Sequence, residues 1–269
     1  MPIVFACATS HTPGIRAWAD APPPEQKERF FGELERLGEQ LRDTNPDAIL
    51  IISSEHFANY FLDGMPAFTL GQGDWHFGPL EPWLKVEQGR TPGEPALASR
   101  LLNACFEAGF ELNYSHELDL DHGTIVPLSF FDPERKIPVI PLIINCMTLP
   151  APAPARCYAL GEALGASLEA DESRVAVVAT GGLSHAPGER IHGDIDVEFD
   201  KEFLRRLTAH EADAITAYTD DEITSRGLGT HEIRTWMTLA GVCGQRNAEV
   251  LFYEPIPGWA TGCGVLSYH

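Results

Sequence analysis

The fold of this chain is decided by the stretch Val175-Ala-Val-Val-Ala-Thr180-Gly181-Gly182-Leu183-Ser184-His185. A short run of small and β-branched apolar residues that stops at glycine is typical of a buried strand. The two glycines permit a sharp turn, so His185 stands just beyond the carboxyl end of that strand. In open α/β sheets, ligands bind at this edge. The stretch therefore predicts a strand that delivers a histidine to a binding site.

The same arrangement recurs along the chain and predicts an α/β fold. Apolar runs at residues 2–8, 48–53, 137–145 and 174–180 predict buried strands, and residues 250–253 and 264–268 predict closing strands. Helical patterns fill residues 25–42, 94–109, 124–131, 150–169 and 194–218, and a last helix follows residue 229 with Thr230 as its N-cap. We expect a single catalytic domain over residues 1–269, with a mostly parallel or mixed central sheet and helices on both faces.

Composition excludes several classes of partner. With 19 basic and 39 acidic residues, the chain has a formal net charge of −20, which disfavours nucleic acid and anionic membranes. No apolar run approaches the roughly 20 residues that span a bilayer. The N-terminus lacks a basic segment and predicts a strand rather than a signal peptide, so we expect the cytoplasm. The six cysteines are scattered without a CxxC pair, which predicts free core thiols in a reducing compartment.

Histidines follow three of the predicted strands. His11, His56 and His185 each come within a few residues of a strand end, and His122 lies in an Asp-His-Gly loop. A single histidine after a strand is usually a hydrogen-bonded surface residue. Three at one sheet edge would converge, and histidine is both the commonest metal ligand and the usual acid or base near neutral pH. The pattern therefore predicts a metal or catalytic site.

The identity of the metal stays open at this point. Two histidines and one carboxylate suit non-haem Fe(II), but a similar set also holds catalytic zinc. The candidate carboxylates are Glu55, Asp121 and Glu232. Glu55 adjoins His56 on an extended segment, so its side chain should point the other way. Glu232 lies in the first turn of a predicted helix and can reach across to the histidines.

Five motifs in order make the chain similar to a known family. They are Ala8-Thr-Ser-His11-Thr-Pro-Gly14, Ser53-Ser-Glu-His56-Phe57, Leu120-Asp-His122-Gly-Thr-Ile-Val-Pro127, Gly181-Gly-Leu-Ser-His185 and His231-Glu232-Ile-Arg-Thr-Trp236. Together they resemble the class III extradiol ring-cleavage dioxygenases, the superfamily of the protocatechuate 4,5-dioxygenase β subunit. Each motif alone is weak, but the five span the chain from the first strand to about residue 240.

The resemblance implies an Fe(II) enzyme that opens a catechol-type ring with O2, next to rather than between the two hydroxyls. It assigns His11, His56 and Glu232 as iron ligands, although His231 beside Glu232 departs from the simplest pattern. His185 would be the acid/base that takes a proton from the substrate and later returns it. His122 would face substrate or oxygen.

Substrate contacts are less defined by the sequence. The expected substrate-binding residues are Thr12, Phe57, Gly181 and Gly182, the glycines by letting substrate approach the backbone. Residues 60–95, rich in glycine, proline and aromatics, are interpreted as an irregular excursion with short strands that forms a flap. Five aromatic residues in or next to this excursion either form walls of the pocket or belong to the ordinary core, and both interpretations stay open. They are Phe57, Tyr60, Phe61, Trp75 and Phe77.

The substrate itself and the state of assembly stay open. A carboxylated catechol such as protocatechuate or gallate would need an arginine or a nest of donors that the sequence does not identify, and aminophenols and biphenyl diols are alternatives. We expect a homo-oligomer or a complex with a small α subunit, unless the excursion closes the pocket. A zinc-dependent hydrolase and a non-enzymatic binding member of the superfamily are the rival functions.

Overall fold

A single eight-stranded sheet dominates the computed structural model, which describes residues 2–269. The strands are β1 (Ile3–Thr9), β2 (Ala48–Ser54), β3 (Phe68–Gly71), β4 (Trp75–Gly78), β5 (Gly89–Pro92), β6 (Asn113–Ser115), β7 (Val139–Ile144), β8 (Val175–Thr180), β9 (Ala248–Ile256) and β10 (Thr261–Tyr268). Their order in the large sheet is β6-β3-β7-β2-β8-β1-β10-β9, while β4 and β5 form a separate hairpin.

The centre of the sheet is parallel and its flanks are mixed. Strands β7, β2, β8 and β1 run parallel to one another, whereas β10 is antiparallel to β1 and β3 is antiparallel to β7. In the parallel register, Thr9 lies opposite Thr180 and Ile52 lies opposite Ala179. The carboxyl ends of β1, β2 and β8 are therefore level, and the residues that follow them meet at one edge.

Helices cover both faces of this sheet. They are α1 (Gly14–Ala17), α2 (Pro24–Asp43), α3 (Pro95–Glu107), α4 (His122–Phe131), α5 (Pro154–Ala170), α6 (Val197–Thr208), α7 (Ala212–Thr216), α8 (Asp220–Thr224) and α9 (Ile233–Cys243). Successive strand residues point to opposite faces. Thus Ile49 and Ile51 join the core under α2 and α4, while Leu50 and Ile52 join the core under α3, α5 and α9. The α/β class with a mixed central sheet and helices on both faces is confirmed.

One local prediction agrees with the structure and one differs from it. The excursion at residues 60–95 contains short strands, as predicted, and its strand β3 is inserted into the main sheet between β6 and β7. Thr230 is not the N-cap of the last helix, since it lies inside a 3₁₀ segment, Leu228–Glu232, that precedes α9. Its hydroxyl instead donates to the Arg226 carbonyl at 2.9 Å and accepts the backbone N–H of His185 at 3.3 Å.

The cysteines behave as core residues. All six are free and buried, as the sequence predicts. Burial raises the pKa of the Cys105 and Cys157 thiols to about 12, so they stay protonated and unreactive near neutral pH. Within residues 2–269, no helix combines the length and the apolar character that crossing a bilayer requires.

Candidate metal centre

Three imidazoles meet at the carboxyl edge of the sheet. The rings of His11 and His56 lie 5.0 Å apart between centroids, those of His56 and His122 lie 4.2 Å apart, and those of His11 and His122 lie 5.6 Å apart. Each ring offers one nitrogen within 4.8 Å of the others. His11 follows β1, His56 follows β2, and His122 opens α4, where Asp121 is the N-cap. These side chains form a group that can hold a metal ion.

Hydrogen bonds fix which nitrogen of His11 faces the centre. Its Nδ1 lies 3.0 Å from the Thr180 hydroxyl, and that hydroxyl donates its own hydrogen to the Gly123 carbonyl at 2.8 Å. The hydroxyl must therefore accept from Nδ1–H, which leaves Nε2 with its lone pair. That Nε2 is buried without a hydrogen-bond partner. Such an orphaned lone pair, facing other imidazoles, is well suited to a metal.

The other two imidazoles are held in the same way. His56 Nδ1 lies 2.8 Å from Asp121 Oδ2, and His122 Nδ1 lies 2.6 Å from Glu81 Oε1. A carboxylate on Nδ1 orients the ring and makes Nε2 a stronger ligand, as is usual in metal sites. Burial disfavours ionisation of Asp121, but the neighbouring imidazoles, His56 foremost, outweigh it and lower its pKa to about 2.

Glu232 completes the group from the opposite side. One carboxylate oxygen lies 2.8 Å from His56 Nε2, and the other lies 3.2 Å from His11 Nε2. The backbone N–H of Gly182 and the hydroxyl of Ser54 donate to it at 2.7 and 2.9 Å. Burial opposes its ionisation, yet the facing histidines keep the pKa of Glu232 well below its usual value. Glu232 is therefore an anionic donor aimed at His11 and His56.

The two glycines after β8 serve Glu232. A Cβ on Gly181 would lie 2.8 Å from Cβ of Glu232, and its φ of +148° belongs to the region that favours glycine. Gly182 supplies the N–H that binds the carboxylate. Both glycines are buried beneath this side chain and do not line the cavity described below.

His185 approaches from the loop after β8. Its Nδ1 lies 2.9 Å from the Leu183 carbonyl, which can only accept, so this nitrogen carries the hydrogen. The lone pair is consequently on Nε2, 3.8 Å from Glu232 Oε2. The ring rests on Gly229, where an added Cβ would lie closest to Nε2 and 2.5 Å from ring atoms Cδ2 and Cε1. His185 thus presents a base beside the imidazole cluster.

A buried carboxylate anchors the loop that carries His185. Asp200 accepts from the backbone N–H of Ser184 at one oxygen, and from the hydroxyls of Ser184 and Tyr253 at the other, each at 2.8 Å. Its side chain is fully buried, and burial raises its pKa to about 6. The folded protein therefore binds a proton at Asp200 in a range where the unfolded chain has released it.

This shift predicts a pH dependence of stability. Because the pKa of Asp200 is higher when folded, the free energy of unfolding should fall as pH rises from about 4 to about 6, by up to about 3 kcal/mol. Asp200→Asn removes this titration. Urea unfolding of both proteins at pH 4.5 and pH 7 should show that the difference in stability, wild type minus variant, decreases toward pH 7. A difference that stays constant or increases would contradict the raised pKa.

The remaining candidates from the sequence lie outside the centre. Glu55 turns away from it and accepts the backbone N–H groups of Ala58 and Asn59 at 2.5 and 2.9 Å. His231 also turns away, since its Nδ1 accepts from the Arg234 guanidinium at 2.5 Å and its Nε2 lies 2.8 Å from the Thr224 hydroxyl. Burial, followed by Arg234, lowers the pKa of His231 to about 4. His231 is a neutral structural residue, and Glu232 is the member of the pair that faces the histidines.

A cavity of about 510 Å³ opens from the cluster. Its inner end consists of His11, His56, His122, His185 and Glu232. The outer walls come from the segment after β1, the loops after β7 and β8, and the β9–β10 connection. They comprise Thr12, Pro13, Gly14, Trp18, Ala21, Met147, Pro187, His192, Pro257, Gly258, Trp259, Ala260 and Thr261. This volume matches a small aromatic ligand.

The structure brings together most of the site residues predicted from the sequence. His11, His56, His122, His185, Glu232 and Thr12 all line the cavity, whereas Phe57 does not and is 37% exposed. The aromatic residues of the excursion do not line it either. Sequence reasoning missed Glu81 and Thr180, which hold His122 and His11, and the two tryptophans of the outer wall. No local pattern marks these residues, because each acts through a contact between distant segments.

Comparison with known proteins identifies the family. The family of the catalytic LigB subunit of aromatic ring-opening dioxygenase matches residues 5–264. The chain belongs to this family. The match spans the strands and loops that deliver all five residues of the inner end of the cavity. The resemblance to class III extradiol dioxygenases is thereby confirmed, and with it the enzyme class of ring-cleavage dioxygenase.

Individual members of the LigB family align over nearly the whole chain. A 2,3-dihydroxyphenylpropionate/2,3-dihydroxicinnamic acid 1,2-dioxygenase of Cupriavidus necator is 30% identical, with 99% of this chain and 98% of the relative covered. The enzyme of the same name from Photorhabdus laumondii is 27% identical, with 99% and 97% covered. In fold, the chain is similar to an uncharacterized protein of Escherichia coli K12, with a TM-score of 0.68, 18% identity, and 98% and 99% covered.

Proposed function

We propose that this LigB-family enzyme is an Fe(II)-dependent extradiol dioxygenase that opens the ring of a catechol-type diol with O2. One observation carries the proposal. Imidazoles with fixed Nδ1 atoms and an anionic Glu232 face one another at the closed end of a cavity that fits an aromatic ring. Two histidines and one carboxylate suit Fe(II), which leaves positions open for other ligands.

His11, His56 and Glu232 are the proposed iron ligands, and His122 the histidine that faces substrate or oxygen. Bound iron would supply sites for the two diol oxygens and for O2. Burial opposes protonation of His56, yet Asp121 and Glu232 raise its pKa well above the usual value in the metal-free protein. A metal ligand must be deprotonated, so metal binding displaces this proton. Metal affinity should accordingly weaken in acid.

His185 is the proposed acid/base. Its Nδ1–H is held by the Leu183 carbonyl, so the unprotonated Nε2 is free to accept the hydrogen of a substrate hydroxyl. The same nitrogen can return that proton later in the reaction. His185 lines the cavity beside Glu232, so it can act next to the proposed iron ligands without binding the metal itself.

The packing of His185 on Gly229 yields a prediction. Gly229→Ala places a methyl group against the ring and should displace it, which lowers kcat by about a hundredfold while iron content is unchanged. Gly32→Ala is the matched control, since a Cβ there meets nothing within 4 Å and α2 gains helix propensity. Iron content and oxygen uptake measure both variants. Normal turnover of Gly229→Ala would show that the ring position of His185 is not critical.

The proposed function is tested by metal reconstitution. The metal-free protein is loaded anaerobically with Fe(II) or with Zn(II) and mixed with a panel of catechols under air. We expect a yellow ring-opened product and stoichiometric O2 uptake with Fe(II) alone. Ring opening restored by Zn(II) but not by Fe(II) would contradict the Fe(II) assignment. Metal binding without turnover across the panel would support a zinc hydrolase or a non-enzymatic member instead.

For the compartment and the assembly, we propose what the sequence leads us to expect. The expected compartment is the cytoplasm. A homo-oligomer or a complex with a small helical α subunit stays the expected assembly, and the half-exposed Trp18 at the cavity wall is consistent with a covered rim. Light scattering on the purified chain measures the mass and decides between a monomer and a homo-oligomer.

A further inference from the structure

The outer part of the cavity is apolar. Apart from the backbone, its walls present mainly proline, alanine, methionine and indole surfaces, with the hydroxyls of Thr12 and Thr261 and the imidazole of His192 as polar groups. The indole N–H of Trp259 is already used, because it donates to the Trp18 carbonyl at 3.1 Å. Among residues 2–269, which the structure describes, no lysine or arginine lines this cavity.

The arginine in the segment after β1 points away from this wall. Arg16 lies between the cavity residues Thr12 and Trp18, yet its guanidinium donates to the hydroxyl and carbonyl of Ser129 at 2.7 and 3.1 Å. It also stacks over the Phe130 ring at 3.7 Å. These contacts commit Arg16 to a different cavity. The segment after β1 therefore contributes no cation to the substrate.

Three further basic residues do not line the cavity, and two of them pair with carboxylates. Lys27 binds Asp20 at 2.7 Å, and Arg226 lies 3.4 Å from Asp196. Arg190 is exposed in the loop whose Pro187 and His192 line the cavity, but it is not itself a lining residue. Arg190 is therefore the cation to test when the charge of the substrate is examined.

The charges that are present disfavour an anionic substituent. The whole chain has a formal net charge of −20, and within residues 2–269 no lysine or arginine lines the cavity to oppose it. Moving a carboxylate from water onto apolar walls without a partner costs several kcal/mol, whereas alkyl and aryl groups gain from burial there. Protein fields of this sign also lower the local concentration of anions.

We propose that this enzyme selects catechols whose ring substituent is uncharged and apolar, and that it discriminates against ring-carboxylated or side-chain-carboxylated catechols. The inference rests on the proposed dioxygenase function and narrows its substrate class. It separates this chain from the two relatives described above, which are named for a carboxylated substrate, dihydroxyphenylpropionate.

Three matched ligands test the proposal: 2,3-dihydroxyphenylpropionate, its methyl ester, and 3-propylcatechol. Dissociation constants are measured anaerobically by calorimetry on the Fe(II) protein, and kcat/KM is measured from ring opening in air. Both readouts are taken at pH 8. We expect the ester and the propyl compound to bind, and to react, at least about tenfold better than the acid.

The two readouts separate failure of the inference from failure of the function. An acid that binds as tightly as its ester overturns the substrate inference, whether or not the ring is opened. If the ring of neither the acid nor the ester is opened, the proposed dioxygenase function is contradicted. The ratio of their dissociation constants still decides whether the substrate inference holds.

Charge variants at the rim provide the second test. Trp18→Arg adds a cation to the outer wall, and Trp18→Gln removes the same indole without adding charge. The acid-to-ester affinity ratio should be about tenfold higher in the arginine variant than in the glutamine variant. Arg190→Gln should leave that ratio unchanged. If Arg190→Gln instead weakens the acid tenfold, Arg190 binds a carboxylate and the proposal is overturned.

Discussion

Replacing Glu232 with alanine is expected to abolish iron binding and with it ring opening. The variant loses the anionic donor that lies between His11 and His56 and leaves the imidazoles without a facing charge. Removing groups that merely support a ligand weakens metal affinity by about 10–100-fold, so loss of a ligand itself should exceed about a hundredfold. Iron content after anaerobic reconstitution measures the effect, and a thermal melt of the metal-free variant verifies that the chain is folded.

His122→Ala is the variant to compare with it, because His122 belongs to the same imidazole group but is not a proposed ligand. We expect this variant to retain iron and to lose activity. If Glu232→Ala kept stoichiometric iron while His122→Ala lost it, the metal would be held by three histidines and Glu232 would have another role.

Replacing His185 with glutamine is expected to leave iron bound while kcat falls about 10²–10⁴-fold, the usual contribution of an acid/base group. Glutamine keeps a polar side chain of similar reach but cannot take up a proton. The pH profile is the second readout, since the limb due to the base should disappear. His192→Gln is the control, because His192 lines the same cavity farther along the loop.

Loss of iron in the His185 variant would make this histidine a ligand rather than a base. Unchanged turnover would instead assign proton transfer to another group, for which His122 is the candidate, because it belongs to the cluster but is not a proposed ligand.

The meeting of the histidines at one edge of the sheet was predictable because it follows from local sequence patterns. Each strand is an apolar run of the expected length, and parallel strands must bring the residues after β1, β2 and β8 to one edge. His11, His56 and His185 therefore meet as predicted. Glu232 was predictable through the family motif that contains it, and the structure adds the reason that His231 is excluded, namely its contact with Arg234.

The parts that sequence reasoning missed depend on contacts between distant segments. Glu81 lies in the excursion and acts only because that segment folds back onto His122. Part of the outer wall is joined where the indole N–H of Trp259 donates to the Trp18 carbonyl, and neither residue has a local pattern that predicts the other. The glycines after β8 were predicted to admit substrate, but the structure places Glu232 against Gly181. A glycine in the sequence indicates that another group comes close to the backbone, but only the fold shows which group it is.

Oxygen labelling tests the central claim most directly. The Fe(II) protein is supplied with ¹⁸O2 and a catechol that it turns over, and the product is analysed by mass spectrometry. The account predicts a product opened next to the diol that contains both ¹⁸O atoms from one O2 molecule. A ring-opened product that contains only one ¹⁸O atom, or none, at the time of its formation would contradict a dioxygenase.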